Sequence, residues 1–236
     1  MAWYISKEMM RKRCWLLISL LAIPALAAPP PPPPRIELEF DLQRNGKTMA
    51  EVVERLDRAN GSYELTEEWK GRGVYSLLGR AKRVSRGALG PNGPRPHEYT
   101  DERSGRDTQR VWFDWKANTI TRRYKGDART EPVPIDTQDR LSFILALAYL
   151  SKNGAPIEFH VADGRGMSHH VYKPNGRERI GTPAGEFDTV KLIRQNGSGD
   201  VAEFWFAANL AYLPVRIVVR EKDGTHYEHV VKRISQ

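Results

Sequence analysis

The chain has 236 residues, a formal net charge of +8 from 37 basic and 29 acidic side chains, and a single cysteine. One cysteine excludes an intramolecular disulfide and a multi-cysteine metal cage, so a hydrophobic core must hold the fold. This length supplies one good core and does not by default call for two domains.

In chain order, Arg11, Lys12 and Arg13 precede the apolar run 14–22, and Pro24 breaks that run before "ALAA". Residues 1–27 therefore read as a signal peptide, with Ala25 and Ala27 at the −3 and −1 positions and the cut between Ala27 and Ala28. Met9 and Met10 offer alternative starts. The apolar run is too short for ~30 Å of hydrocarbon, and an uncleaved anchor is the alternative. Cys14 follows the basic cluster directly, unlike a lipidated cysteine, so the mature chain holds no thiol. Lys7, Arg11, Lys12 and Arg13 against Glu8 also leave with the leader, so the mature chain keeps about +5 of the charge. The expected location is the periplasm. There, anionic partners are lipid headgroups, lipopolysaccharide or wall polymers and not nucleic acid, unless the basic surface serves solubility alone.

Pro29 to Pro34 form a stiff polyproline II rod of about 3.1 Å per residue, so 28–34 reads as a spacer and 35–236 as one β-rich domain. From Arg35 the pattern alternates: Ile36, Leu38, Phe40 and Leu42 share one face, Glu37, Glu39 and Asp41 the other. Further strands are expected at 48–56, 62–70, 73–83, 110–115 with a hairpin turn at Ala117-Asn118, 156–162, 169–174, 176–180, 186–194, 201–207, 213–221 and 226–234. "GALGPNGPRP" (87–96) reads as an irregular loop. Strands 110–115 and 201–206 are apolar on both faces and need cover on both.

That cover is "DTQDRLSFILALAYLSKNG", a helix over about 138–150 with Asp136 as N-cap, Asp139 at N3 and Asn153-Gly154 as its stop. It is apolar most of the way round, as a buried helix is, and at roughly 20 Å it cannot cross a bilayer. Core element and movable lid both fit the sequence. The expected fold is mainly β: a curved antiparallel sheet, a half-barrel-like meander, with one buried apolar helix on its concave face.

Three segments, "QDRLSFILALAYL", "GTPAGEFDTVKLIR" (181–194) and "NLAYLPVRIVVREKDG" (209–224), resemble the exported bacterial family called domain-of-unknown-function family 3108. The resemblance spans about 111–231, with weaker correspondence over 36–86. It implies a curved antiparallel sheet with a helix in or over the concave side, similar to the half-barrels of outer-membrane lipoprotein carriers and sorting factors. It implies no established activity.

The residues point away from catalysis. His226 and His229, like His169 and His170, are an odd number apart and face opposite sides of a strand, so no metal site is expected, short of one assembled from distant strands. "GRGMSHH" places Ser168 beside two histidines but lacks a nucleophile elbow and reads as a turn between strands. "GTPAG" reads as a sheet corner. Arg72, Arg80, Lys82, Arg83, Arg86, Arg95, Arg103 and Arg106 make 71–106 basic, either a contact for anionic lipid or polymer or a solvated loop beside its acids.

The function expected is a non-enzymatic binder of a lipid or other apolar ligand in the half-barrel groove, without cofactor. Its candidate lining is Trp112, Phe143, Leu147 and Trp205, with Arg216 on an anionic headgroup or paired with Glu228. The alternative is a structural or interaction module that binds an envelope protein or wall polymer through surface loops.

Overall fold

The computed structural model describes residues 33–151, 154–195 and 199–236. The signal peptide and most of the polyproline run lie outside these residues, as does Asn153 of the expected helix stop.

Among the described residues one sheet of fifteen strands runs through the molecule, and its middle strand is the first in sequence. From β1 (Arg35–Arg44) one wing continues through β2 (Lys47–Ala59), β3 (Ser62–Gly71), β4 (Arg80–Gly90), β5 (Gly93–Arg103), β6 (Gln109–Asp114), β7 (Thr119–Tyr124) and β8 (Asp127–Pro132), each beside its predecessor. On its other side β1 pairs with the last strand, β15 (His226–Ser235). The second wing then runs back through β14 (Leu213–Arg220), β13 (Val201–Ala207), β12 (Gly185–Gln195), β11 (Met167–Thr182), β10 (Ile157–Ala162) and β9 (Gln138–Asp139). The meander follows from short connections: at Asn60-Gly61 both residues sit at positive φ, 50° and 72°, the backbone that a two-residue hairpin requires.

The sheet is curved. Asp139 on terminal β9 accepts a 2.6 Å hydrogen bond from Ser85 on β4, although most of the sheet's order separates the two strands. Gln138 likewise donates to the Pro94 carbonyl on β5.

The helix α1 spans Ser142–Leu150, shorter than the 138–150 expected, because Gln138-Asp139 is drawn into the sheet. Asp136 is not the N-cap, which is Leu141; Asp139 Oδ1 accepts the backbone N–H groups of Leu141 (2.8 Å) and of the first helical residue, Ser142 (2.7 Å). The sheet is also not antiparallel throughout: β9 and β10 pair in parallel. The strand–helix–strand path β9–α1–β10 explains this, since a helical crossover returns the chain in the same direction. Around the helix, Leu145 is buried in a cluster with Ile36, Leu38, Leu56 and Leu65. Leu147 is buried in a second cluster with Phe159, Tyr172, Phe204 and Phe206.

Three local expectations change. Residues 73–78 form a 3-10 turn and not the start of a strand. The two strands expected at 169–174 and 176–180 are one strand, β11, with a register irregularity between Pro174 and Arg177. The loop expected at 87–96 is the β4–β5 hairpin. Its prolines are tolerated because β5 has β6 as a neighbour only from Glu98 onward, leaving Pro94 and Pro96 on a free edge. Gly87 permits the close approach there: a Cβ on it would stand 2.2 Å from the Arg95 carbonyl oxygen.

Candidate ligand-binding site

The face of β1 that carries Ile36, Leu38, Phe40 and Leu42 leads from the helix to an open cavity. At the helix end, Ile36 and Leu38 meet Ile144 and Leu145, and the space left between them is about 20 Å³. At the other end Leu42 lines a cavity of about 490 Å³. One wall of it is apolar and aromatic, with Leu42, Met49, Val52 and Tyr227 from β1, β2 and β15. The adjoining part of the lining carries Glu67, Trp69, Arg80, Arg83, Arg103 and Arg106 from β3, β4, β5 and the turn after β5.

Period-two geometry brings Glu67, Arg83 and Asp101 together, while Arg80, of opposite parity on β4 and partner of Lys70, reaches the cavity only at the strand's start. Glu67, Arg83 and Asp101 are register partners across β3, β4 and β5, so their side chains share the inward face. Arg83 donates to Glu67 at 2.8 Å and its Nε lies 3.5 Å from Asp101. Arg103 grips Asp101 through two nitrogens, at 2.9 and 2.7 Å. Burial pushes the Asp101 carboxyl up, but the Arg103 hydrogen bonds and the Arg83 charge outweigh it and hold the group below the usual carboxylate range. Arg80 and Arg106 have no carboxylate partner among the described residues.

Beneath this set the site is unusual. Glu54 sits on the apolar file of β2 at 6% exposure, between helix and cavity. Burial, reinforced by the Glu67 charge, pushes its carboxyl up to about 8, so it is largely protonated at neutral pH. Burial and the Arg83 charge lower the His229 imidazole. Glu54 Oε1, Arg83 Nε, Tyr99 OH, Gln109 Oε1 and His229 Nδ1 are enclosed without a hydrogen-bond partner among the described residues. A buried polar atom without a partner costs ~1–3 kcal/mol, so this neighbourhood is less well satisfied than the packed end beside the helix.

The five residues expected to line a groove fall into three places, and none lines this cavity. Leu147 is fully buried, and Phe143 stacks on Tyr172 at 6.2 Å and meets the edge of Phe204. Trp205 and Arg216 are paired on the opposite face of β13 and β14 from Phe204 and Ile217. There the Trp205 indole donates to Glu178 at 2.6 Å, lies under Lys191 and Arg216, and Arg216 pairs with Glu228 at 2.6 Å. Trp112 stands on β6 between Glu98 and Thr121. The sequence reading did not single out Glu54 or Glu67, and it placed Arg83 only in the 71–106 basic stretch and His229 only among strand histidines. The available signal was parity: Glu67 shares its file with Tyr63, Leu65 and Trp69, and Glu54 shares one with Val52 and Leu56.

Two histidine groupings lie elsewhere. Ser168 and His170 are 2.9 Å apart on β11, with the Tyr172 hydroxyl 3.0 Å from the other ring nitrogen. Burial and the Arg194 charge push His170 down to about 4, so it is neutral. Ser168 is exposed and lines no cavity described here, and the surrounding backbone is strand. The His160 and His169 rings lie 5.1 Å apart across β10 and β11.

By architecture this is a mainly β protein, an open curved sheet with one helix among its described residues. The family described as "Protein of unknown function (DUF3108)" matches residues 39–231, and the chain belongs to that family. No curated protein matches the sequence. Among solved structures, a β-barrel-like protein of domain of unknown function DUF1849 from Brucella abortus is similar at 9% identity, with a TM-score of 0.53 over 85% of this chain and 97% of that one. An exported protein of YmcC-like fold from Bacteroides fragilis overlays at 12% identity with a TM-score of 0.40, covering 85% and 95%. A Parabacteroides distasonis protein described as a lipoprotein overlays at 11% identity with a TM-score of 0.38, covering 87% and 97%.

Proposed function

We propose that this protein is a non-enzymatic binder of a lipid or other acyl-bearing ligand in the bacterial cell envelope, exported by residues 1–27 and held off the membrane by the 28–34 spacer. Residues 35–236 act as one domain, with α1 on the concave side of the sheet. One observation carries the reading: the 490 Å³ cavity whose lining has an apolar part beside an arginine-rich part, of the size and mixed lining that small-molecule sites have. The apolar side takes chain methylenes and the guanidinium groups take a polar end. Phe143 and Leu147 serve the site indirectly, by fixing the helix that closes the far end of the interior. Trp205, 4% exposed, and Arg216, paired with Glu228, serve the fold on that side of the sheet and not the ligand.

The experiment is native mass spectrometry with lipid extraction on the mature protein, purified from the periplasm of a bacterium expressing the full chain. A stoichiometric co-purifying lipid supports the reading. A clean apo mass that persists when the protein is offered a total lipid extract overturns it and directs attention to surface partners.

A further inference from the structure

Resting on that reading, the charge inventory of the cavity specifies the ligand's polar end. Four arginines reach it, and two are already matched: Arg83 by Glu67 at 2.8 Å and Arg103 by Asp101 at 2.7 Å. Arg80 and Arg106 are not matched by any carboxylate among the described residues, which leaves an excess of two positive charges on one wall.

Those two side chains are carried on backbone that is clamped together. The Ser104 N–H donates to the Arg80 carbonyl at 2.9 Å, and the Arg80 N–H donates to Ser104 Oγ at 2.9 Å. The Arg106 N–H closes the turn onto the Arg103 carbonyl at 3.1 Å. Gly79 lies so near that a Cβ on it would stand 2.4 Å from that of Ser104. The start of β4 and the end of β5 therefore present Arg80, Arg103 and Arg106 from one braced corner.

The lysine and arginine side chains on the cavity lining are all arginine; Lys70 and Lys82 line an adjoining, more open depression that shares Trp69, Arg80, Arg103 and Ser104 with it and carries Glu51, Glu68 and Glu102 as well. Arginine's planar fork binds tetrahedral oxyanions bidentately, which a lysine point charge does not. A carboxylate or a phosphodiester carries a single charge and would satisfy half of the excess. A phosphomonoester carries about −1.5 to −2 at neutral pH and three acceptor oxygens, and matches it.

We propose that the cavity receives a phosphomonoester end group on Arg80 and Arg106, with Arg83 and Arg103 beside them and the first methylenes of an acyl chain against Leu42, Met49, Val52 and Tyr227.

The test is titration calorimetry, supported by tryptophan fluorescence from Trp69, on the mature protein and on the Arg80→Gln/Arg106→Gln double variant. Both side chains are exposed and without carboxylate partners, so the variant keeps its fold, which thermal melting checks. The probes are dioctanoyl phosphatidic acid, dioctanoyl phosphatidylcholine, octanoate and inorganic phosphate, each below any micellar concentration. The expected result is binding of phosphatidic acid at least tenfold tighter than the other three. The double variant should weaken it by on the order of 30-fold, as loss of two charge-assisted contacts implies. Equal binding of phosphatidylcholine or octanoate, or an unchanged double variant, overturns the phosphomonoester while leaving acyl binding intact. Inorganic phosphate binding as tightly as phosphatidic acid overturns the acyl half. Binding of none of the three acyl probes removes both this inference and the reading on which it rests.

Discussion

Replacing Glu54 with glutamine should stabilise the protein, and by an amount that grows with pH. The side chain is buried, and its carboxyl is raised from the ordinary 4.5 to about 8 by desolvation and the neighbouring Glu67 charge. The folded state therefore holds the proton more tightly than the unfolded state does. This contribution is complete below pH 4.5 and is lost progressively as the pH rises to about 8. At 1.36 kcal/mol per pH unit the whole interval corresponds to roughly 5 kcal/mol, and relaxation around the open cavity reduces what is observed to about 3. Glutamine preserves the shape and stays neutral, so the variant escapes the loss. Asp139, also raised, to about 6, titrates in both proteins and cancels from the comparison. Urea denaturation at pH 4, 6 and 9 reads the effect. The two proteins should nearly coincide at pH 4, then separate by on the order of 1 M in midpoint at pH 9, given slopes of about 2–3 kcal/mol per molar for a domain of this size. A gap that does not change with pH would mean that Glu54 ionises as an ordinary wet carboxylate, and the buried acid beneath the cavity would have to be abandoned.

Two further outcomes test the helix. Leu145→Asp places a charge at a site 4% exposed, against Ile36, Leu38 and Leu56, and should abolish cooperative melting; a soluble variant with a sharp transition would show that the helix does not pack there. Asp139→Ala removes the acceptor for two N–H groups at the helix start and the partner of Ser85, and should cost about 2–4 kcal/mol in urea denaturation, whereas a loss below about 0.5 would refute its hold on the helix.

The strand pattern was legible where one face is wet. Ile36 to Leu42 alternate because Glu37, Glu39 and Asp41 are solvated or paired with arginine and lysine at the surface, so period two is visible in the letters. It was hidden where a rule that holds for interior strands is suspended. Pro94 and Pro96 read as loop because prolines are excluded from paired strands, but here the neighbouring strand begins two residues later. The two-residue strand Gln138-Asp139 carries no periodicity at all, and only its contact with β10 defines it. The cavity was hidden for a different reason. Its arginines look like a solvated basic stretch when read in order, and their grouping depends on the register of three adjacent strands. Even so, an acid standing in an apolar file, as Glu54 and Glu67 do, is a trace of that site in the sequence itself.

The two ends of the interior also decide between core and lid for the apolar helix. Leu141, Leu145 and Leu147 are each at most 4% exposed, and Ala146 and Ala148 are buried with them. Exposing three buried leucines costs about 1.5–3 kcal/mol each, roughly 5–9 kcal/mol together, before the Asp139 bonds to Ser85, Leu141 and Ser142 are counted. That sum is comparable to the whole stability of a domain, about 5–15 kcal/mol, so swinging the helix out amounts to unfolding. On the lipid-binding reading proposed above, a fixed helix leaves the opposite end of the interior for exchange of the ligand. There the cavity is bordered by the exposed Arg80 and Arg106, at the start of β4 and in the turn after β5, so access to it moves side chains in water and leaves the packed leucines in place.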